Sequence, residues 1–503
     1  MVGGYAALAE GAWMGAAQGT EVLEPLRVGR PTLPRPSLPK LPRLRLAGLL
    51  TRELSIAEAS FVLMASFFLS ALLGAVRQVL FNADFGAGST ASAYYAAFRL
   101  PDTLFSLIAG GALSSAMIPV LLTTRREEGE EAGARLAGLV LTTLLAFFAL
   151  VVIVGELAAP VFVGHVLAPG FDRPTAHLAT NLTRLMLLQP LILAVGSVAT
   201  AILNSRSQFV LTALSIASHN IGLIAGILAG RAVPGLGIYG PTLGVVAGAV
   251  LQVLILLPGL RVRELSLRPA WGLGDRRLRE IVRLLIPNGL AVGVGYAGFI
   301  VDTAFASTAP ESAGVPALHN AWLLVTLPIA LLGQAIGQAA FPRLAAFADA
   351  RAWADLRRTL LRSVRAVVAL AIPAALALLV LGRPTIRILF EHGRFSAAAG
   401  SLTDKVLGAY AIALPASVLT EVLARGLIAL RDTRTPLFAN TVQLLGRTAI
   451  MAVLIGAVGV VAVPIAFAAM AFIETLLLAA VLTLRLRERA TGQRYGAKTS
   501  RPE

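Results

Sequence analysis

The sequence predicts an all-α polytopic membrane protein, about twelve transmembrane helices arranged as two six-helix lobes. Composition, the length of the apolar runs and an internal repeat carry that prediction. Of 503 residues, 57% are hydrophobic and only 14% charged, too few polar groups to coat soluble domains of this size. From Ile56 onward the apolar residues fall into twelve runs, each long enough to cross about 30 Å of hydrocarbon. They cover 56–81, 91–122, 135–164, 176–203, 208–230, 238–259, 280–306, 315–345, 357–382, 402–430, 435–456 and 459–484. No soluble domain fits between them.

The halves repeat. Gly110 and Pro119 recur as Gly333 and Pro342, Pro160 and Phe171 as Pro384 and Phe395, and Pro190 and Arg206 as Pro415 and Arg431, at offsets of 223 to 225. Six spans per half is an even number, so both halves have the same topology. A parallel pseudo-two-fold axis along the membrane normal then relates them. The expected divisions are a tail over 1–50, a first lobe over 51–265, a second over 266–488 and a short tail over 489–503. Two lobes with a site between them suit an alternating-access carrier.

Loop charge orients the chain. Arg125, Arg126 and Arg135 follow the second run, Arg206 the fourth, and Arg261, Arg263, Arg268, Arg276, Arg277 and Arg279 the sixth. Arg343, Arg351, Arg357 and Arg358 follow the eighth, Arg431 and Arg434 the tenth, and Arg485, Arg487 and Arg489 the twelfth. The exception is Arg383, Arg387 and Arg394 after the ninth. This alternation places both termini in the cytoplasm. In the N-terminal tail Pro31, Pro34, Pro36, Pro39 and Pro42 alternate with Arg30, Arg35, Lys40, Arg43 and Arg45. Such a tail is disordered and extended, suited to anionic headgroups or to a docking partner. Its start lacks a basic flank and is broken by Glu10, so no cleaved signal is expected. The net charge of +16 sits largely in short loops, which makes the partner anionic phospholipid and not nucleic acid.

No cysteine is present, which removes disulfides and thiolate chemistry. The histidines lack ligand spacing, so no metal is expected. Neither a phosphate-binding G-x-x-x-x-G-K-[ST] loop nor a G-x-S-x-G elbow occurs, so neither ATP-driven transport by this chain alone nor an enzyme is expected. The candidates are therefore ionisable groups at membrane depth, where charge is costly unless it meets protein or a wet cavity. Arg77 in the first run, and Arg99 with Asp102 in the second, suit an anionic headgroup, because arginine's planar fork matches phosphate. Snorkelling to an interface is the other reading. Asp302 in the seventh run needs a positive partner, either a monovalent cation or Arg447 in the eleventh. Glu421 and Arg425, four apart in the tenth run, suit an intrahelical pair. Glu474 in the twelfth is a further candidate. The stretch 85–119 organises these groups: a Gly-rich turn leads into a run carrying Arg99, Pro101 and Asp102, then the Gly110–Gly111 pair.

Several stretches carry a resemblance. FGAGSTASAYYAAFRLPD from Phe85, LAPGF from Leu167, AILNSRSQF from Ala201, FEHGRFSAAAGSLTDKVLGAYAIALP from Phe390 and LARGLIALRDTRTP from Leu423 resemble, in the same order, segments of the MurJ/MviN family. That family comprises lipid II flippases of the multidrug/oligosaccharidyl-lipid/polysaccharide exporter superfamily. The resemblance implies a V-shaped pair of lobes around a central cavity in the bacterial cytoplasmic membrane. It implies a lipid-linked anionic substrate, undecaprenyl-diphosphate-linked peptidoglycan precursor, moved from inner to outer leaflet beside cell-wall synthesis proteins. It implies no bound cofactor, with drive from a monovalent cation gradient or the membrane potential. Arg77 falls on the family's G-x-x-R pattern as Gly74-Ala-Val-Arg77, Arg99 keeps the basic character before Leu-Pro, and Asp302 falls on an acidic position used for sodium in some members. Ala71, Phe105 and Leu323 stand where the family has arginines, and Gly110 where it has an acid. The asparagine expected in the eleventh run falls near Gly446 and Arg447. Members usually have fourteen spans against the twelve read here. The other readings are a flippase for another polyprenyl-linked or amphipathic substrate, and a membrane scaffold using the basic tail.

Overall fold

The computed structural model describes residues 54–109, 112–261 and 269–499. The Pro-rich tail, Gly110, Arg263 and Arg268 lie outside the described residues. Among the described residues all regular structure is helical. The first half comprises α1 (Ile56–Phe85), α2 (Ser89–Ala109), α3 (Ala112–Glu128), α4 (Glu130–Phe162), α5 (Arg173–Met186), α6 (Leu188–Asn204), α7 (Phe209–Ala232) and α8 (Tyr239–Arg261). The second comprises α9 (Arg276–Thr308), α10 (Gly314–Pro328), α11 (Ala335–Asp349), α12 (Trp353–Leu389), α13 (Ala397–Ala429), α14 (Arg434–Val458) and α15 (Ala462–Thr499).

Polar residues start the helices where the runs leave water. Ser55 opens α1 with a capping box: its hydroxyl accepts from the Glu58 amide at 3.3 Å, and the Glu58 carboxylate accepts from the Ser55 amide at 2.9 Å. Asp275 caps α9, accepting from the Arg277 and Leu278 amides at 2.8 and 3.1 Å.

The described residues of the twelve apolar runs are helical, and the fourth and eighth runs are broken inside. The fourth divides into α5 and α6 at Leu187. The eighth passes through a π turn, Ile329–Gln334, between α10 and α11. Pro328 precedes that turn, and a proline without an N–H frees a carbonyl one turn back. Nine helical runs among the described residues are individually long and apolar enough to cross a membrane, and one of them, Arg434–Arg489, is α14 and α15 read together. The last helix runs past the expected lobe end to Thr499. No proline interrupts it there, and Arg485 pairs with Glu488 one turn on at 3.8 Å.

In the first half α1 packs on α7, α2 on α5 and α6, α3 on α4, α4 and α8 on α6, and α7 on α8. In the second half α9 packs on α14, α10 on α13, α11 on α12, α12 and α15 on α13, and α14 on α15. These are the same pairings moved on by six spans. The α7–α8 contact is backbone on backbone: a Cβ on Gly222 would lie 2.3 Å from the Gly248 Cα, which is small-residue packing of membrane type.

The halves also meet each other. The face holding the start of α1 is termed the near face, and its opposite the far face. On the far face the Arg394 amide donates to the Ala83 carbonyl at 2.8 Å, Ser92 Oγ to the Ser312 carbonyl at 3.0 Å, and the Gly170 amide to Ser307 Oγ at 3.1 Å. On the near face Arg277 of α9 pairs with Glu127 and, at 3.2 Å, with Glu128, both of α3. The halves are thus linked at both faces.

The far-face contact is testable because the chain has no native cysteine. The Ala83→Cys/Arg394→Cys pair is expected to cross-link in membranes with a short bifunctional thiol reagent. Gly393 has φ 58° and a Cβ there would lie 2.3 Å from the Ala83 carbonyl oxygen. Adding Gly393→Val should therefore lower the yield markedly; an unchanged yield would refute the contact.

Candidate substrate-binding site

A small cavity lies among α1, α2 and α7 and meets the second half at His319, with Arg77, Tyr94, Arg99 and Asp102 on its wall. Leu223 and Ile227 of α7 and Phe81 and Phe98 supply its apolar side. A second, smaller cavity also touches Arg99 and is walled by Asp302, Thr303, Trp322 and Tyr410. Arg99 therefore belongs to both.

Arg77 is buried in α1. Its Nη1 donates to Asn220 Oδ1 of α7 at 3.2 Å. Asn220 Nδ2 in turn donates to the Ser70 carbonyl and hydroxyl at 3.1 and 2.9 Å. Those two bonds fix the carboxamide, so its oxygen has to face the guanidinium. Gly74 lies against the same oxygen, a Cβ there being 3.8 Å away. The G-x-x-R spacing thus places a small residue one turn below the arginine, beside its acceptor.

Arg99 reaches across the halves. Its Nε donates to Thr303 Oγ1 of α9 at 3.0 Å, and its guanidinium lies 5.5 Å from the Phe299 ring centroid. Asp102 is half-buried on the same helix and shares the cavity wall.

Asp302 meets Arg447. Arg447 Nη1 lies 3.4 Å from Asp302 Oδ2, and both side chains are 8% exposed. The guanidinium also lies 5.8 Å from the Phe467 ring centroid. Gly298 makes the space for it, since a Cβ there would sit 1.7 Å from Arg447 Nη2. Of the two partners the sequence leaves open for Asp302, Arg447 lies within ion-pair distance.

Glu421 and Arg425 occupy neither cavity wall. They pack against Gly333 of the repeat and Gly337, Gly333 facing Glu421 Cγ at 3.3 Å and Gly337 facing Arg425 Cγ at 3.4 Å from a Cβ. Glu474 of α15 adjoins the hydrogen-bonded pair Thr420–Thr475, 2.8 Å apart, which joins α13 to α15 away from both cavities. Ala71 is exposed on α1, Phe105 is half-buried and Leu323 packs into the apolar core. None of these three supplies a charge to the cavities.

One part of the site escaped a search for ionisable groups. Asn320 Oδ1 of α10 accepts from Gln78 Nε2 at 2.8 Å and from Asn82 Nδ2 at 2.9 Å, both of α1. Gln78 also donates to the Tyr95 hydroxyl at 2.5 Å, and the Tyr95 ring stacks on His319 with centroids 4.2 Å apart. All three amides are at most 2% exposed. This neutral knot ties the halves together directly beside the cavity. The signal for it was two carboxamides inside otherwise apolar runs, Gln78 and Asn320, with Asn82 just past the end of the first.

The buried ion pair gives a sharp expectation. Arg447→Gln alone leaves the Asp302 carboxylate unpaired and should cost about 3–5 kcal/mol. The Asp302→Asn/Arg447→Gln double variant should recover most of that loss. Thermal unfolding of the purified protein measures both, and equal destabilisation in single and double variants would exclude the pair.

Comparison with known proteins adds a family. The family described as "Lipid II flippase MurJ" matches residues 81–498. The lipid II flippase MurJ of Burkholderia cenocepacia is 31% identical over 375 residues, 73% of this chain and 72% of that protein. The probable lipid II flippase MurJ of Rhizobium meliloti is 30% identical, covering 73% of this chain and 69% of that one. Among solved structures, one titled "Lipid II flippase MurJ, inward closed conformation" superposes with a TM-score of 0.73 at 22% identity, over 88% of this chain and 94% of that one. An inward-facing multidrug resistance MATE family transporter of the MOP superfamily superposes with a TM-score of 0.74 at 14% identity, over 84% and 96%. With the match covering most of its length, this multi-pass membrane chain belongs to the lipid II flippase MurJ family.

Proposed function

We propose that the chain is a flippase that moves a polyprenyl-diphosphate-linked peptidoglycan precursor, lipid II, across the bacterial cytoplasmic membrane by alternating access. The observation that carries the reading is the pair of arginines on one inter-half cavity. Arg77 donates to Asn220 and Arg99 to Thr303, which aims both guanidiniums at the cavity they share. A diphosphate offers acceptors that match the planar fork of each guanidinium. The apolar wall of Phe81, Phe98, Leu223 and Ile227 excludes water, which strengthens that attraction. The near face is the cytoplasmic one in this reading, with the arginine-rich loops and both termini on it and anionic phospholipid around it. Loading then requires Arg277 to leave Glu127 and Glu128, and release requires the amide knot and the far-face contacts to part.

Arg447 supports a further point about drive. It occupies with its own guanidinium the place beside Asp302 that a monovalent cation would need. The proposed flippase is driven by the membrane potential, with no sodium requirement. The absence of charge at Ala71, Phe105 and Leu323 favours, as the second reading, another polyprenyl-linked anion carried on the same fold.

Complementation divides these readings. The chain is expected to rescue a flippase-depleted bacterium, and Arg77→Ala at equal membrane expression to lose that rescue. Failure of the wild-type chain would exclude lipid II as substrate. Replacing sodium with potassium or choline should leave both thermal stability and transport unchanged. A strong sodium response abolished by Asp302→Asn would overturn the internal-arginine account.

A further inference from the structure

Asp302 is 5% exposed and engages Arg447 through Oδ2, whereas its Oδ1 is buried with no hydrogen-bond partner among the described residues. A buried carboxylate oxygen without a donor is costly. Arg447 is seated on Gly298 and the Phe467 ring and meets the carboxylate through Oδ2. Its second cavity contains one other cation, Arg99, whose Nε already bonds the neighbouring Thr303 at 3.0 Å. Arg99 reaches that cavity from α2 in the first half, and its own helix carries Asp102.

We propose that Asp302 is an internal competitor for Arg99: a carboxylate of the second half that contends with the ligand's phosphate for the same guanidinium. The proposal rests on the reading that Arg99 receives that phosphate. Asp102 moves with Arg99 on one helix and cannot report a separation of the halves. Asp302 sits on α9 and can. When an anion draws Arg99 toward Arg77, the α2–α9 contact through Thr303 loosens. When the anion leaves, the Asp302 carboxylate draws the guanidinium back to its cavity and the Thr303 contact reforms. The carboxylate thus lowers anion affinity while it assists release, and makes it a specificity-determining residue.

Farnesyl diphosphate titrated into the purified full-length protein tests this. Asp302→Asn alone leaves Arg447 without its partner, so the decisive variant is Asp302→Asn/Arg447→Gln, which removes a neutral pair as a whole. The expected result is binding about tenfold tighter than wild type, lost again when Arg99→Gln is added. Unchanged or weaker binding in the double variant overturns the competitor role while leaving the cavity assignment intact. Wild-type binding that Arg99→Gln does not weaken, or no wild-type binding at all, overturns the cavity assignment and this inference with it.

Discussion

At membrane depth a charged group away from a wet cavity has no water to turn to, and a guanidinium buried there has to be met by protein. The chain meets that constraint in two ways. In the second half Arg447 meets a carboxylate, and the pair is closed off between Gly298 and the Phe467 ring. On the inter-half cavity Arg77 and Arg99 meet a carboxamide, a hydroxyl and an aromatic face. The first arrangement pairs opposite charges across α9 and α14. The second brings two guanidiniums and the Asp102 carboxylate to one cavity wall.

The same constraint shapes the closures. Beside the cavity the halves are joined by neutral amides, Gln78, Asn82 and Asn320, because a charged lock there would need full desolvation. Parting them strands buried donors and acceptors, at about 1–3 kcal/mol for each group left unmet. On the near face the link is ionic and wet: Glu127 and Glu128 are 56% and 51% exposed. An exposed ion pair contributes about 0–1 kcal/mol, so the near face is the closure that opens at least cost. A carrier loading from that face would be built in this order.

Much of the fold was legible in the sequence because lipid imposes it. Apolar run length gave helices, and prolines and glycines at a steady offset gave a repeat that the packing pairs reproduce. The breaks within runs were less legible. Leu187 is itself no breaker, the proline that frees the Met186 carbonyl being Pro190 one turn on, and the π turn after Pro328 is a property of the backbone ladder. Arg77, Arg99 and Asp102 could be placed on a cavity because ionised groups inside apolar runs are conspicuous. Asn220 and the amide knot were not, since a carboxamide in a helix reads as unremarkable until its partner on another span is known. The choice between cation and Arg447 for Asp302 was likewise a question of which two spans touch.

The central claim is that one cavity, bounded by Arg77 and Arg99, carries a lipid-linked diphosphate between leaflets. Reconstitution into sealed vesicles with a fluorescent lipid II analogue, read by a membrane-impermeant quencher under an imposed potential, tests it most directly. The account predicts that the analogue becomes accessible across the bilayer in a protein- and potential-dependent manner, and that the Arg77→Ala/Arg99→Ala protein leaves it in its original leaflet. Equal movement by the folded double variant, or none by the folded wild-type chain, would contradict it.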